Sequence, residues 1–316
     1  MQDVTDRQGQ DFGFWRELEA RFRRHPGLRP ARRAFRRVKR FVPNAWRLAT
    51  QHSRALPSVL IIGAQKAGTT QLHLCLTRHP RCFGGAKKEL HYFTKHRDRP
   101  LGWYRSHFPF GRTVGRVDGL CLESTPSYLP SPQALQRMGE VLPEAKLIVL
   151  LRDPVTRAFS HYQHYKSRGL EKRDFATVVR QAIEEQAYAP QFGEIKQANA
   201  APLLNYVHRG YYALQLEILF DYCSRQRVLV LDSANLFDNT NDVCQRTFDF
   251  LDVEPYDVSP KKIHNRGYYR DLIDPTVAQM LREHYQPHDE LLVELLGRRF
   301  RWMEVANVGK SRDRAA

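Results

Sequence analysis

The sequence predicts an α/β fold in which a central, mainly parallel sheet is flanked by helices, and three observations carry that expectation. Val59 to Ile62 and, apart from Lys146, Ala145 to Leu151 are apolar at consecutive positions, as strands buried on both faces require. Each is followed by a glycine-bearing or charged turn and then by apolar residues at helical spacing. A third run, Arg227 to Leu231, follows a helical pattern over 211–222, so strands and helices alternate as in an open sheet whose ligands collect beyond the carboxyl ends of the strands.

Residues 1–20 are polar, with a short helix expected over 14–22. Arg32-Arg33, Arg36-Arg37 and Lys39-Arg40 are interleaved with Ala31, Ala34-Phe35, Val38 and Phe41-Val42, which makes one apolar stripe with basic flanks, ended by Pro43. Such a stripe packs against the domain or a partner chain, lies on an anionic membrane, or meets a glycan or nucleic acid. A polar stretch, 50–57, leads into the first strand, and Thr69 opens a helix expected to stop near Arg78-His79-Pro80. Cys82 to Lys88 reads as a loop, 103–110 as an aromatic and basic segment without period, and Gly119 to Leu122 as a second short strand with its loop over 123–130. Helices are expected over 132–142, over 154–165 with Pro154 in a first helical position, over 174–189, 211–222 and 241–251, and over 275–296. Residues 191–203 are poorly patterned. The organisation expected is a basic, partly helical extension over 1–50 and a single domain over 51–316.

Gly63-Ala64-Gln65-Lys66-Ala67-Gly68-Thr69-Thr70 lies between the first strand and its helix. A glycine turn that aims backbone N–H groups inward just before a helix N-terminus is an anion cradle, and an accidental glycine turn is the alternative. Two glycines separated by four residues have the spacing of a nucleotide-triphosphate loop, which places the sheet in the P-loop-containing nucleotide-binding class. Thr69 stands where such a loop carries lysine, and the lysine is inside the turn as Lys66, which weakens an ATPase or kinase reading. Arg152 ends the second buried strand, where its guanidinium fork matches a phosphate or closes the sheet edge with a salt bridge.

The strand, GAQKAGTT and the following helix resemble the 5′-phosphosulfate loop of the sulfotransferases that use 3′-phosphoadenosine 5′-phosphosulfate (PAPS), and LIVLLRDPVTRAFSHYQHYKSRG (147–169) resembles their 3′-phosphate element. KKELHYF (87–93) and ESTPSYL (123–129) look like the carbohydrate branch, especially the heparan sulfate N- and 3-O-sulfotransferases and their bacterial relatives. The resemblance runs from about Pro57 to Trp302 and is strong at the motifs. It implies PAPS as donor, adenosine 3′,5′-bisphosphate as product and no metal. It assigns Gln65, Lys66, Ala67, Gly68, Thr69 and Thr70 to the phosphosulfate, Arg152 and Ser160 to the 3′-phosphate, and Tyr212 to the nucleotide. Lys262, Asn265, Arg266 and Gly267 look like the loop that closes over the donor, although an exposed basic loop explains them as well. Lys66 and Glu89 are then catalytic, Glu89 as the base that takes the acceptor proton, with His91 orienting it or the substrate. The local alternative is a loop glutamate paired with Lys87 or Lys88. Lys88, Glu123 and Ser124 are candidate acceptor-binding residues, and Ser124 departs from the 3-O-sulfotransferase pattern, which has lysine before Thr-Pro.

The chain has 316 residues, 50 Lys and Arg against 34 Asp and Glu, and no acidic residue between Glu19 and Glu89, a one-sided field that attracts polyanions. Five scattered cysteines form no disulfide framework or CxxC pair, and His161 and His164 read as packing or surface residues. No run has the length of a membrane span or the pattern of a signal peptide, so a cytoplasmic enzyme is expected, peripheral on a membrane if 31–42 contacts one, or Golgi-lumenal if the chain is a trimmed animal domain. Sulfuryl transfer to a carbohydrate hydroxyl is the function expected. A lipid or small-molecule acceptor, a kinase-like enzyme and a non-catalytic polyanion or membrane binder stay open.

Overall fold

Strand β1 (Val59–Gly63) is buried at all five positions and occupies the middle of the sheet. The structure, a computed structural model, describes residues 45–187, 206–258 and 272–304. With β2 (Cys82–Gly84), β3 (Leu120–Ser124), β4 (Lys146–Leu151) and β5 (Val228–Asp232), the sheet order is β2-β3-β1-β4-β5. Every pairing is parallel, with Leu60 of β1 opposite Glu123 on one side and Leu147 on the other. All five carboxyl ends therefore emerge on one edge of the sheet, where a ligand can meet several loops at once.

Helix α1 (Thr69–Leu76) follows β1, and the short α2 (Leu101–Arg105) and α3 (Gly111–Gly115) lie between β2 and β3. α4 (Pro132–Val141) leads to β4, and α5 (Pro154–Lys166), α6 (Phe175–Ala187) and α7 (Tyr212–Tyr222) lead to β5. α8 (Ser233–Asp238), α9 (Thr240–Leu251) and α10 (Pro275–Leu296) follow. α7 packs against α4 and α10, α10 also against α5 and α6, and α1 against α9.

The helix starts are written in the sequence. Ser131, Asp153 and Asp274 each accept a hydrogen bond from a backbone N–H of the helix they precede, and each is followed by proline in the first turn. Such caps stabilise a helix by about 1 kcal/mol apiece. α1 is different. Its N-cap is Gly68, left-handed at φ 94°, with no side chain capping it and no acidic residue in the first turn.

The α/β sheet flanked by helices agrees with the expectation from sequence, whereas its placement in the P-loop-containing nucleotide-binding class does not. No lysine follows Gly68, and Lys66 takes a left-handed turn of its own (φ 72°) inside the loop. Three further differences have local causes. Cys82–Gly84 is a strand rather than loop, because β3 offers it a free parallel edge. Glu123 and Ser124 belong to the end of β3 and not to the loop after it. Ser233–Asp238 forms a helix that the sequence reading missed, since its cap, Asp232, also ends a strand. The stripe over 31–42, the segment 191–203 and Lys262, Asn265, Arg266 and Gly267 lie outside the described residues.

Candidate active site

The loop after β1 is shaped by two glycines. A Cβ on Gly63 would stand 2.5 Å from the Leu129 side chain, so only glycine lets the turn pass, and Gly68 supplies the left-handed residue that starts α1. Ala64 donates its N–H to the carbonyl of Leu150 (2.7 Å), and Ala67 donates to the carbonyl of Ala64 (3.2 Å), which closes the turn. The amides at the start of α1 have no intrahelical acceptor and no side-chain cap. Backbone donors and the positive end of the helix thus coincide with Thr69 and Thr70.

Arg152, at the end of the adjacent strand β4, donates from Nη1 to the carbonyl of Lys66 (3.0 Å) and from Nε to Thr156 Oγ1 (3.2 Å). Tyr212 donates its hydroxyl to the carbonyl of Arg152 (2.8 Å), so α7 fixes the strand end that carries the arginine. Ser160 is buried on α5, two turns beyond Arg152. Gln65 accepts from Arg209 Nη1 (2.8 Å), a residue not among those expected at the site from sequence.

The second half of the site follows β2 and β3. Glu89 and His91 both have left-handed backbones, φ 59° and 54°. With Lys66, the three residues nominated as catalytic are three of the five non-glycine residues at positive φ among the described residues. Such conformations cost about 1–3 kcal/mol each and collect at functional sites. The Glu89 carboxylate is half exposed; Lys88 Nζ donates to its Oε1 (3.1 Å), and His91 Nε2 lies 3.8 Å from its Oε2. The other ring nitrogen of His91, Nδ1, is 3.0 Å from Ser127 Oγ, a partner that could have been suspected from its place two residues after Thr125. Burial first, then Lys95, pushes the His91 pKa down to about 4, so the ring is neutral near pH 7.

Glu123 has a different setting. It is 2 % exposed, and Tyr104, Tyr128 and Thr125 all donate hydroxyls to its carboxylate. Tyr128 in turn accepts from the backbone N–H of Tyr92 (2.8 Å). Glu123 therefore anchors the loop carrying Glu89 and His91 from within the core. Ser124 is also buried, and its hydroxyl has no hydrogen-bond partner among the described residues.

Two histidines of α5 border the two halves. His161 is fully buried against Tyr206 and Tyr165, with ring centroids 4.9 and 5.2 Å away, which makes it a packing residue. His164 is partly exposed. Burial lowers its pKa, Lys66 and Arg168 lower it further, and Glu89 opposes them, so Lys66 and Glu89 both act on one imidazole.

A sulfotransferase domain model matches residues 56–284. The chain belongs to this family. That membership overturns the placement in the P-loop-containing nucleotide-binding class: the fold is a sulfotransferase fold, and its glycine loop is not the triphosphate loop whose spacing it shares. The chain is 27% identical to a crystallised sulfotransferase from Alicyclobacillus acidocaldarius, with a TM-score of 0.58 over 78% of this chain and 98% of that one. It is 29% identical to heparan sulfate glucosamine 3-O-sulfotransferase 6 of Mus musculus over 79% of this chain and 74% of the relative. It is 24% identical to a membrane-associated sulfotransferase of Dictyostelium discoideum over 78% of this chain, and spans 66% of that protein's length. The relation to carbohydrate sulfotransferases is thus one of low identity.

Proposed function

We propose that the protein transfers a sulfuryl group from PAPS to a carbohydrate hydroxyl, with Glu89 as the base. The observation that carries this reading is the Arg152–Lys66 hydrogen bond, which locks the turn at the end of β1 to the neighbouring strand end. Two anion-binding elements placed side by side suit a donor that is phosphorylated at both ends. The uncapped start of α1 and the left-handed turn at Lys66 fit the phosphosulfate. Arg152 and Ser160 are the residues that would take the 3′-phosphate.

In this scheme the acceptor oxygen attacks sulfur as the bond from sulfur to the phosphate oxygen breaks. The acceptor proton passes to the Glu89 carboxylate, and the bonding pair stays on the phosphate oxygen, where the Lys66 ammonium and the loop amides meet the growing charge. The products are a sulfate ester and adenosine 3′,5′-bisphosphate. Neutral His91, held by Ser127, orients Glu89, and Lys88 holds its carboxylate in place. A carbohydrate acceptor is supported by the likeness to the mouse 3-O-sulfotransferase and by the net charge of +16, which favours acidic glycans.

Calorimetric titration with adenosine 3′,5′-bisphosphate against ATP with magnesium tests the donor, and radiolabelled sulfate transfer to heparosan, chondroitin, simple sugars, glycolipids and phenols tests the acceptor. Preference for ATP, or label reaching phenols alone, sinks the reading. The basic stripe of residues 31–42 carries a second reading, contact with an anionic membrane surface. Co-sedimentation with phosphatidylserine vesicles, lost on deleting residues 1–44, is its test.

A further inference from the structure

Beneath the proposed donor loop lies positive charge for which the described residues supply no paired carboxylate. Arg157 is fully buried and Arg209 is 7 % exposed, yet among the described residues no carboxylate pairs with either. Arg157 donates from Nη2 to the carbonyl of Tyr206 and acts on the neighbouring Tyr285 hydroxyl, while among the described residues its Nε and Nη1 and the Nε of Arg209 are buried with no partner at hydrogen-bond geometry. Buried cations in this state are strongly disfavoured in an isolated protein. Burial, and after it the neighbouring Arg157, pushes the Arg209 pKa down to about 10.

Arg209 is also held rigidly. It belongs to a 3-10 turn (His208–Gly210) that leads into α7. Tyr285 of α10 donates its hydroxyl to the carbonyl of Val207 (2.7 Å), and the same hydroxyl would stand 2.7 Å from a Cβ on Gly210. The guanidinium is therefore aimed from a fixed support, and its bonded contact is Gln65 Oε1 at 2.8 Å, one residue before Lys66.

We infer that Arg209 is a positioning residue for sulfuryl transfer. It holds Gln65, and through it the turn bearing Lys66, and together with Arg157 it keeps beneath the loop a charge that no described carboxylate pairs with and that a polyanionic donor would offset. This rests on the reading of the loop as the PAPS site. It extends that reading to two arginines that do not touch the reacting atoms, and it explains why a chain would retain a pair of buried cations beside a surface loop.

The test compares wild type, Arg209→Met, Arg209→Lys, Gln65→Ala and the Arg209→Met/Gln65→Ala double variant in the full chain. Each is titrated with adenosine 3′,5′-bisphosphate and heated without ligand. Arg209→Met is expected to weaken nucleotide binding by about 10- to 100-fold while its ligand-free Tm stays level or rises, because an unpaired buried charge has gone. Arg209→Lys should recover part of the affinity, and the double variant should bind no more weakly than Arg209→Met. A purely structural arginine would instead lower the ligand-free Tm. That result, binding within about twofold of wild type, or additive losses in the double variant would each overturn the inference while leaving PAPS as donor. Failure of wild type itself to bind the nucleotide would overturn both.

Discussion

Glu89 donates its backbone N–H to the carbonyl of Ser124 across 3.0 Å, and this bond joins the proposed base to the carboxyl end of β3. It helps hold Glu89 in a left-handed conformation that a non-glycine residue rarely adopts, with the carboxylate toward solvent and Lys88. Glu89→Gln keeps this backbone and removes only the proton acceptor. Turnover is expected to fall by about 100- to 10,000-fold, with affinity for adenosine 3′,5′-bisphosphate within about threefold of wild type. Single-turnover sulfate transfer beside calorimetry checks it, and unchanged single-turnover rates would remove Glu89 from the role.

The Arg152 side chain, proposed to take the 3′-phosphate, also supports the carbonyl of Lys66. Arg152→Ala should weaken adenosine 3′,5′-bisphosphate by at least about tenfold and adenosine 5′-phosphosulfate by less. A smaller loss remains for the second ligand because Lys66 loses its brace. Equal losses for the two ligands would show that the arginine acts on the turn alone.

Glu123→Gln is expected to lower stability by roughly 1–3 kcal/mol, read as a drop in Tm. An amide offers one acceptor oxygen and an NH₂ donor to a pocket in which Tyr104, Tyr128 and Thr125 all donate. Catalysis should fall with it, since Tyr128 also holds the backbone of Tyr92 beside His91. An unchanged Tm would mean that the carboxylate is dispensable to the core.

Stability should decline as pH falls from about 6.5 to about 4. Burial pushes the pKa values of His73, His91 and His288 down to about 4, so across that window the unfolded chain takes up protons that the folded chain refuses. Asp289 works in the opposite direction. Burial raises its pKa to about 7 although it accepts from the Trp302 indole, so its contribution is lost as pH rises toward 7. Asp289→Asn should therefore raise Tm above about pH 7 and leave it nearly unchanged near pH 4; melting curves across that range check both signs.

What could be read from the chain was local. β1 and β4 announced themselves by apolar residues on both faces, and α5 and α10 by an aspartate followed by proline. The three-residue β2 had no pattern of its own and exists because β3 offers an edge. The glycine spacing of the first loop suggested the wrong nucleotide-binding class, although Thr69 in the place of the lysine already spoke against a triphosphate loop. Glu123 looked like an acceptor ligand, since its hydroxyl partner Tyr104 comes from a separate segment between β2 and β3 and no spacing reveals that they meet. The contact between Arg209 and Gln65 was hidden for the same reason, since 144 residues separate them.

The central place of β1 has an evolutionary corollary. On one side of it, β4 and β5 adjoin the elements proposed to hold the nucleotide; on the other, β3 and β2 lead to Glu89, His91 and Ser124. The proposed donor elements and the proposed acceptor elements thus lie on different strands of the sheet. A lineage built on this plan can exchange one sulfated product for another by drift along a single margin of the sheet, without relearning how to hold its activated sulfate.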